Sequence, residues 1–130
     1  MVVVDASVAV DIFLNRLGTP LHARLYRRCE ELHAPHLLDL EVTQTIGRLV
    51  RARLVSAEHG WMILESLLLE FPVERHPHSY LIPRIWELRD RMSAYDASYL
   101  ALADTLGCPL LTRDKAFTTF GGHRAKVEVF

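Results

Sequence analysis

The sequence predicts an α/β fold in which helices cover both faces of a parallel sheet of about five short strands. Short apolar runs typical of buried strands alternate with longer segments whose apolar residues recur at helical spacing. Strands separated by helices favour a parallel sheet, because each crossover places a helix on one face. The chain has 130 residues and is 50% hydrophobic, which suffices for one substantial core but not for two. We therefore expect residues 1–130 to form a single domain.

The first strand is predicted at residues 2–5, where three valines precede Asp5. Apolar residues at positions 8, 9, 12 and 13 favour a short helix directly after it. Thr19 and Pro20 supply an N-cap and a first-turn proline for the next helix. The inward positions of that helix are predicted to be Leu21, Leu25, Cys29 and Leu32.

The middle of the chain predicts two strands with two helices between them. The strands are HAPH at residues 33–36 and FPVERH at residues 71–76. The first helix lies within residues 37–54, and its apolar stripe consists of Leu38, Val42, Ile46 and Leu49. The second helix begins at Ser56, and its inward positions are predicted to be Trp61, Leu64 and Leu68.

The last third of the chain predicts two further helices and two further strands. One helix begins at Ser79 or Pro83 and passes through Ile85, Leu88 and Met92. The next begins at Ser93 and ends at Gly107. The fourth and fifth strands are PLLT at 109–112 and KVEVF at 126–130.

Four acidic residues fall where such a fold would bring them together. Asp5 follows the first strand and Asp114 follows the fourth, and ligands bind beyond the carboxyl ends of strands in open parallel sheets. Glu41 and Asp96 lie near the starts of two helices that can reach the same edge. Two carboxylates about 4 Å apart repel each other by about 4 kcal/mol at an effective dielectric of about 20. Such a cluster therefore needs raised pKa values or a hard cation, of which Mg²⁺ or Mn²⁺ is the natural choice.

Each acid also has a simpler interpretation. Asp5 and Asp114 can be helix N-caps, and Ser93 with Asp96 fits a capping box. Glu41 can be a solvated acid favoured by the helix dipole. The metal interpretation depends on all four acids meeting at one edge. Bound divalent ions generate a hydroxide nucleophile or stabilise the oxygens of a phosphodiester during hydrolysis.

Other polar residues carry weaker signals. Asp11 is predicted to be solvated, and Arg113 beside the acids either contacts a substrate phosphate or is an ordinary surface residue. The histidine pairs at 33–36 and 76–78 resemble metal ligands, but strand geometry and Pro77 separate the members of each pair. We therefore expect no metal at either pair. Trp61–Leu69 is more leucine-rich than one core face needs, so it forms ordinary core or a groove for a partner.

Composition narrows the function classes. The net charge is -1, which argues against binding of nucleic acid over a broad basic surface. A local basic path is still possible, because 13 of the 15 basic residues are arginine, which suits bidentate phosphate contacts. Cys29 and Cys108 form no CxxC motif and are expected to be buried, reduced thiols. No apolar run is long enough for a membrane span, and no secretion signal is recognisable at the N-terminus. We therefore expect a cytoplasmic protein.

Several other classes of α/β protein fit the motifs poorly. The sequence contains neither GxxxxGK[ST] nor GxGxxG. A metal-dependent adhesion motif would need a serine at Ala9. An aspartyl-phosphate phosphatase would need an aspartate at Ser7.

Three stretches in this order, VVVDASVAVDIFL, LLDLEVTQTIGRLV and YDASYLALADTLGCPLLTRDKAF, followed by a short closing strand, resemble the PIN-domain family. The resemblance covers essentially the whole chain and is greatest to the VapC toxins of bacterial toxin-antitoxin pairs. It implies a three-layer α/β/α fold, a metal-dependent endoribonuclease and a homodimer. It also implies a VapB-type antitoxin that wraps the toxin and obstructs its active site.

The resemblance assigns roles to particular residues. It implies that Mg²⁺ or Mn²⁺ is coordinated, directly or through water, by Asp5, Glu41, Asp96 and Asp114. It also implies that a metal-bound water attacks the scissile phosphate of RNA and leaves a 5′-phosphate and a 3′-hydroxyl. Ser7 and Thr112 match polar positions near the metal, although their hydroxyls can equally cap local backbone. The main alternative is a catalytically inactive scaffold of the same fold that binds RNA or a protein.

Overall fold

The central sheet has five strands that all run parallel. The structure is a computed structural model that describes residues 1–15 and 18–130, apart from the side chains of Tyr26 and Arg28. Within these residues the strand order is β3-β2-β1-β4-β5. The strands are β1 Val2–Val4, β2 Leu32–Pro35, β3 Val73–His76, β4 Leu110–Thr112 and β5 Val127–Val129.

Helices flank the sheet, which confirms the predicted three-layer α/β/α class. The helices are α1 Ala6–Leu14, α2 Pro20–Arg28, α3 Leu37–Arg51, α4 Ala57–Leu69, α5 Ile82–Glu87 and α6 Ala94–Leu106. Two short 3-10 helices lie at His78–Leu81 and Lys115–Thr118. Helix α6 packs against β1, β2 and β4, while α1 packs against α3 and β4. No helix of the described segments is long and apolar enough to cross a membrane.

The core lies around the middle strands of the sheet. All residues of β1 and β4 are fully buried, as expected for parallel strands covered on both faces. Every residue of α6 from Ala97 to Ala103 is also buried, so this helix lies inside the protein rather than on its surface. Because the carboxyl ends of β1 and β4 are neighbours, the residues that follow these two strands meet.

Local capping signals fix the starts of four helices as predicted. Asp5, Thr19, Ser56 and Ser93 each accept a hydrogen bond from a first-turn backbone N–H. Gly107 ends α6 in the left-handed conformation, with φ of 63°, which glycine adopts without steric cost.

Two predictions about the second helix are wrong. Helix α2 ends at Arg28, and Cys29 adopts a left-handed conformation with φ of 44°. Leu32 consequently belongs to β2 rather than to the helix. Cys29 is exposed, whereas Cys108 is buried as expected, and the two form no disulfide.

The predicted inward face of α4 is wrong at two of its three positions. Trp61 and Leu68 are exposed, whereas Leu64 packs partly buried against the core as predicted. The buried residues of α4 are Gly60, Ile63 and Leu67. A Cβ added at Gly60 would lie 3.0 Å from a methyl group of Val50, so α4 approaches α3 closely at this glycine. That close approach fixes the rotation of α4 about its axis.

Helix α3, Leu37–Arg51, lies within the predicted residues 37–54. One other helix is shorter than predicted. The helix expected to reach Met92 divides into the 3-10 helix at His78–Leu81 and a short α5 that ends at Glu87. Both predicted start positions lie at the beginning of a helical segment. Ser79 is in the 3-10 helix, and Pro83 is in the first turn of α5.

Candidate functional site

A cavity of about 640 Å³ opens beyond the carboxyl ends of β1 and β4. Its lining includes the four acids singled out in the sequence, which are Asp5, Glu41, Asp96 and Asp114. They come from four different places in the chain: the ends of two strands and the first halves of α3 and α6. The fold thus brings all four carboxylates to one edge of the sheet.

Asp5 is the most buried and the most firmly held of the four. It is 5% exposed. Ser7 Oγ donates to its Oδ1 at 2.6 Å, and Val8 N donates to the same oxygen at 3.0 Å. Thr112 Oγ1 donates to Oδ2 at 2.5 Å. Burial raises the pKa of Asp5, and these hydrogen bonds partly offset that effect.

Glu41 is half-buried and is held by a tyrosine. Tyr99 Oη, in a side chain that is 1% exposed, donates to Glu41 Oε2 at 2.6 Å. Burial raises the pKa of Glu41, and the charges of Asp96 and Asp5 raise it further. Burial and the charge of Glu41 raise the pKa of Tyr99, so its hydroxyl remains a proton donor. Repulsion from the other acids therefore makes Glu41 harder to ionise.

Asp114 caps a short helix and Asp96 bonds the cap residue of α6, and both also line the cavity. Ser93 Oγ accepts from Asp96 N at 3.1 Å and donates to Asp96 Oδ2 at 2.9 Å, so the carboxylate bonds the hydroxyl rather than the backbone N–H of a full capping box. Asp114 Oδ1 accepts from Ala116 N at 2.8 Å. The capping interpretation and the ligand interpretation are compatible, because each cap occupies one carboxylate oxygen.

Ser7 and Thr112 connect Asp5 to the loop after β4. Besides its bond to Asp5, Ser7 Oγ accepts from the backbone N–H of Arg113 at 2.8 Å. Thr112 Oγ1 accepts from the backbone N–H of Asp114 at 2.9 Å. Both hydroxyls therefore orient the Asp5 carboxylate, and Thr112 also binds local backbone, whereas the backbone N–H that Ser7 accepts from lies 106 residues away.

The charges around the cavity fit a hard divalent cation. Among the described residues that line it, none is a lysine or an arginine, so no basic side chain neutralises the four acids. All four offer oxygen atoms, the ligands that Mg²⁺ and Mn²⁺ prefer. Two of the acids have pKa values raised by burial, and a bound cation would reverse that effect by favouring the ionised form.

Arg113 and Asp11 form a separate cluster. The guanidinium of Arg113 contacts Asp11 Oδ1, and Asn15 Nδ2 donates to the same carboxylate. Asp11 is 4% exposed, so the prediction that it is solvated is wrong. Arg113 lines a smaller cavity with Asp11 and does not line the acidic one. A contact between Arg113 and a substrate phosphate stays a prediction.

The comparison with protein families identifies this arrangement. The family model described as PIN domain matches residues 2–122, which include all four acids. The chain belongs to the PIN-domain family. The strand order and the acidic cavity described above are thus features of a PIN domain.

Curated relatives of this PIN domain match it along nearly its whole length. Ribonuclease VapC9 of Mycobacterium tuberculosis is 39% identical over 129 residues, which cover 99% of this chain and 98% of the relative. VapC ribonuclease Mb0985 of Mycobacterium bovis has the same identity and coverage. Ribonuclease VapC12 of Mycobacterium tuberculosis is 37% identical over 131 residues, with 99% and 98% coverage.

Solved structures share the fold at low sequence identity. VapBC2 from Rickettsia felis, bound to a DNA fragment from its promoter, has a TM-score of 0.73 at 13% identity and covers 99% of this chain and 98% of that one. VapC20 of Mycobacterium tuberculosis has a TM-score of 0.64 at 18% identity, with 92% and 94% coverage. These likenesses support the fold of the PIN domain.

The sequence analysis missed one group in the site of this PIN domain. Tyr99 was not selected, although it lies three residues after Asp96 and therefore on the same face of α6. That spacing is a usable signal for Tyr99. The contact between Tyr99 and Glu41 has no such signal, because 58 residues separate the two in sequence.

Proposed function

We propose that this PIN domain is a divalent-metal-dependent endoribonuclease that acts in the cytoplasm as the toxin of a toxin-antitoxin pair. One observation supports the chemistry most directly. Four carboxylates from four separate segments line one cavity in which no described lining residue is basic. The charges of Asp96 and Asp5 raise the pKa of Glu41 beyond the effect of its burial, which supports a cation site rather than a structural cluster.

In this proposal Asp5, Glu41, Asp96 and Asp114 hold Mg²⁺ or Mn²⁺, directly or through water. When bound, such an ion lowers the pKa of a water ligand and neutralises charge that develops on a phosphodiester. The protein's own contribution is to fix the ligands. Ser7 and Thr112 orient the two oxygens of Asp5, and Tyr99 orients Glu41. Hydrolysis is proposed to leave a 5′-phosphate and a 3′-hydroxyl.

The names of the relatives support RNA as the substrate class. VapC9 and VapC12 of Mycobacterium tuberculosis are ribonucleases that match this chain almost end to end. VapC20 is described as a toxin that cleaves the sarcin-ricin loop, which concerns that protein alone. For this chain the proposal extends to RNA as a class.

A protein partner is proposed on the basis of an exposed apolar surface. Large hydrophobic side chains on and before α4 are more than half exposed: Leu54, Trp61, Met62, Leu68 and Leu69. Exposed apolar residues clustered on one element are typical of interaction sites. We propose that a VapB-type antitoxin and a second copy of the chain cover this surface and its surroundings, as the VapBC2 complex suggests by its composition.

The experiment is cleavage of a labelled total-RNA pool by purified, antitoxin-free protein with Mg²⁺ or Mn²⁺. EDTA is one control. Asp96→Asn tests the cavity, and Asp90→Asn is its matched control because Asp90 is exposed and lies outside the cavity lining. We expect Asp96→Asn to lower the rate at least about 100-fold, since metal stabilisation of the transition state amounts to several kcal/mol. Asp90→Asn should cleave at the wild-type rate.

The competing proposal is an inactive scaffold that binds RNA or protein without cleaving. It predicts no cleavage with either ion, in folded protein whose acidic cavity still binds Mn²⁺. The presence of all four acids favours the nuclease. Equal cleavage by Asp96→Asn and wild type would contradict the metal roles proposed here.

A further inference from the structure

A second group of potential metal ligands lies on strands β2 and β3, at one side of the sheet. In the register of these two parallel strands His33 is paired with Glu74, and Pro35 is paired with His76. Side chains two residues apart on a strand point to the same face. His33, Glu74 and His76 therefore project from one face, with Glu74 and His76 on the strand at the edge of the sheet.

The distances among the three side chains match those expected around a small cation. His33 Nδ1 lies 3.0 Å from His76 Nε2 and 3.6 Å from a carboxylate oxygen of Glu74. His76 Nε2 lies 3.8 Å from the other oxygen of Glu74. Ligands about 2.1 Å from a tetrahedral Zn²⁺ are separated from one another by about 3.4 Å. Two imidazole nitrogens and one carboxylate group therefore lie close to the spacing that a single Zn²⁺ ion requires, and one ligand atom from each residue lies within 4.8 Å of the others.

The outer nitrogens of the two histidines differ in their surroundings. Histidines that bind a metal through one nitrogen usually direct the other to a carboxylate or another polar group. His76 meets this condition, because its Nδ1 lies 3.3 Å from Tyr80 Oη. His33 does not, because its Nε2 is buried without a hydrogen-bond partner among the described residues and lies 4.0 Å from Glu31 Oε2.

We propose that His33 Nδ1, His76 Nε2 and the Glu74 carboxylate bind one Zn²⁺ ion, with the fourth position open to water. Two imidazoles and one carboxylate form a donor set that suits Zn²⁺ and not Mg²⁺. The ion would join the edge strand β3 to β2 at a point where β3 has a neighbour on only one side. It therefore stabilises the edge of the sheet.

This site is distinct from the acidic cavity. None of His33, Glu74 and His76 lines that cavity. The two sites also differ in donors, because the cavity offers carboxylate oxygens and the strand site offers two imidazole nitrogens. The zinc proposal does not depend on the proposed nuclease activity.

The close approach of His33 and His76 can also be explained without a metal, and the experiment must distinguish the two explanations. At 3.0 Å the two imidazoles can share one hydrogen bond when either ring nitrogen carries a proton. Metal binding replaces that proton, which is released to solvent. The hydrogen bond alone predicts no affinity for Zn²⁺.

The experiment uses untagged protein that has been stripped of metal with EDTA and desalted. Zn²⁺ is titrated in competition with a coloured chelator, and thermal unfolding is recorded with and without Zn²⁺. We expect one tight equivalent per chain and a higher melting temperature with Zn²⁺. Co²⁺ should give the visible absorption of a tetrahedral complex.

Substitutions assign the binding to these residues. Glu74→Gln and His76→Gln should each weaken Zn²⁺ binding at least about tenfold. Glu74 is largely exposed, so Glu74→Gln tests the site without disturbing the core. His78→Gln is the matched control, because His78 is exposed and belongs to the same HPH segment without joining the group.

Asp96→Asn separates the two sites. It should leave Zn²⁺ binding unchanged even if RNA cleavage is lost. The proposal is overturned if the wild-type protein binds no Zn²⁺, or if Asp96→Asn removes the tight equivalent while Glu74→Gln retains it. Neither result bears on whether the acidic cavity supports cleavage with Mg²⁺.

Discussion

The acidic cavity and the histidine site on β2 and β3 lie in one sheet but differ in compactness. The ligand atoms of His33, Glu74 and His76 all lie within 4.8 Å of one another, and the four acids form no group that tight in the described part of the chain. The acids instead line a cavity of about 640 Å³. Neutral imidazoles can approach each other closely, whereas carboxylates without a cation repel. The two proposals differ accordingly: the cavity has room for a hydrated ion and a substrate, whereas the three strand residues would surround a single ion that keeps one water.

Asp5→Asn should have the largest effect and should act on one site only. Asparagine keeps the shape of the side chain, and its Oδ1 can still accept from Ser7 Oγ, but its Nδ2 cannot accept the Thr112 hydroxyl and it lacks the charge that a cation needs. We expect RNA cleavage with Mg²⁺ to fall at least about 100-fold while Zn²⁺ affinity stays constant. Cleavage assays and Zn²⁺ titration on the same preparation measure both. Full cleavage by Asp5→Asn would remove Asp5 from the proposed ligands.

Tyr99→Phe should have the next largest effect. It removes the hydroxyl that donates to Glu41 at 2.6 Å and leaves a ring that fills the same buried space. Loss of a group that orients a metal ligand typically costs about 10-fold to 100-fold in affinity or activity. We expect a rise of at least about tenfold in the Mg²⁺ concentration needed for half-maximal cleavage. Tyr95→Phe is the matched control, since Tyr95 also lines the cavity but is exposed. Equal Mg²⁺ requirements in the two variants would contradict the role of Tyr99.

The stability of the metal-free protein should depend on pH through the acidic cavity. The folded-state pKa values of Asp5 and Glu41 are raised by burial, so between the unfolded and folded values the folded state binds more protons. The contribution of these two groups to the free energy of unfolding should therefore fall as the pH rises from about 4, the unfolded value, through the raised folded values. Glu128, whose pKa is lowered by its hydrogen bond to Arg24, contributes in the opposite direction. Mg²⁺ needs the ionised carboxylates, so the stabilisation that it provides should grow over the same window.

Thermal unfolding at several pH values, with and without Mg²⁺, measures this dependence. Asp5→Asn should shift the slope of stability against pH in the positive direction relative to wild type, because one of the two raised groups is gone. A shift in the negative direction, or no shift, would contradict the direction assigned to Asp5.

Tyr80→Phe should have the smallest effect and should act on the other site. Its hydroxyl lies 3.3 Å from His76 Nδ1, but Tyr80 is 47% exposed, so water can replace it. We expect Zn²⁺ affinity to fall by less than about tenfold, with RNA cleavage unchanged. The loss of the buried Tyr99 hydroxyl should thus change metal binding at its site more than the loss of the exposed Tyr80 hydroxyl changes it at the other. A larger Zn²⁺ effect than that of His76→Gln would contradict direct coordination by His76.

The element predictions succeeded where one local signal decided the outcome. Ser93 and Gly107 bracket α6 because a cap hydroxyl and a left-handed glycine act within a single turn. The strands at β1 and β4 were predicted from uninterrupted apolar runs, which buried parallel strands require. Prediction failed at α4, where apolar residues occur on several faces. There the close approach to α3 at Gly60, and not periodicity, decided that Ile63 faces inward and Trp61 faces solvent.

The candidate site divides in the same way. The position of Asp5 after a buried strand and of Asp96 after a serine cap could be read locally. The partner of Asp11 could not, because Arg113 is 102 residues away, and without that cation a buried aspartate would not be expected. The histidines illustrate the limit most clearly. Each pair was rejected on its own geometry, yet one member of each, His33 and His76, meet across two strands.

The fold class, most helix starts and the four acids follow from short stretches of sequence, because apolar periodicity, caps and strand ends are properties of a few consecutive residues. The buried face of α4, the partners of Asp11 and Glu41, and the meeting of His33, Glu74 and His76 depend on how distant segments pack. These outcomes depend on strand order and register, which join residues 43 positions apart in the case of the two histidines. Local sequence does not specify which strands become neighbours, because strand order depends on the packing of the whole sheet.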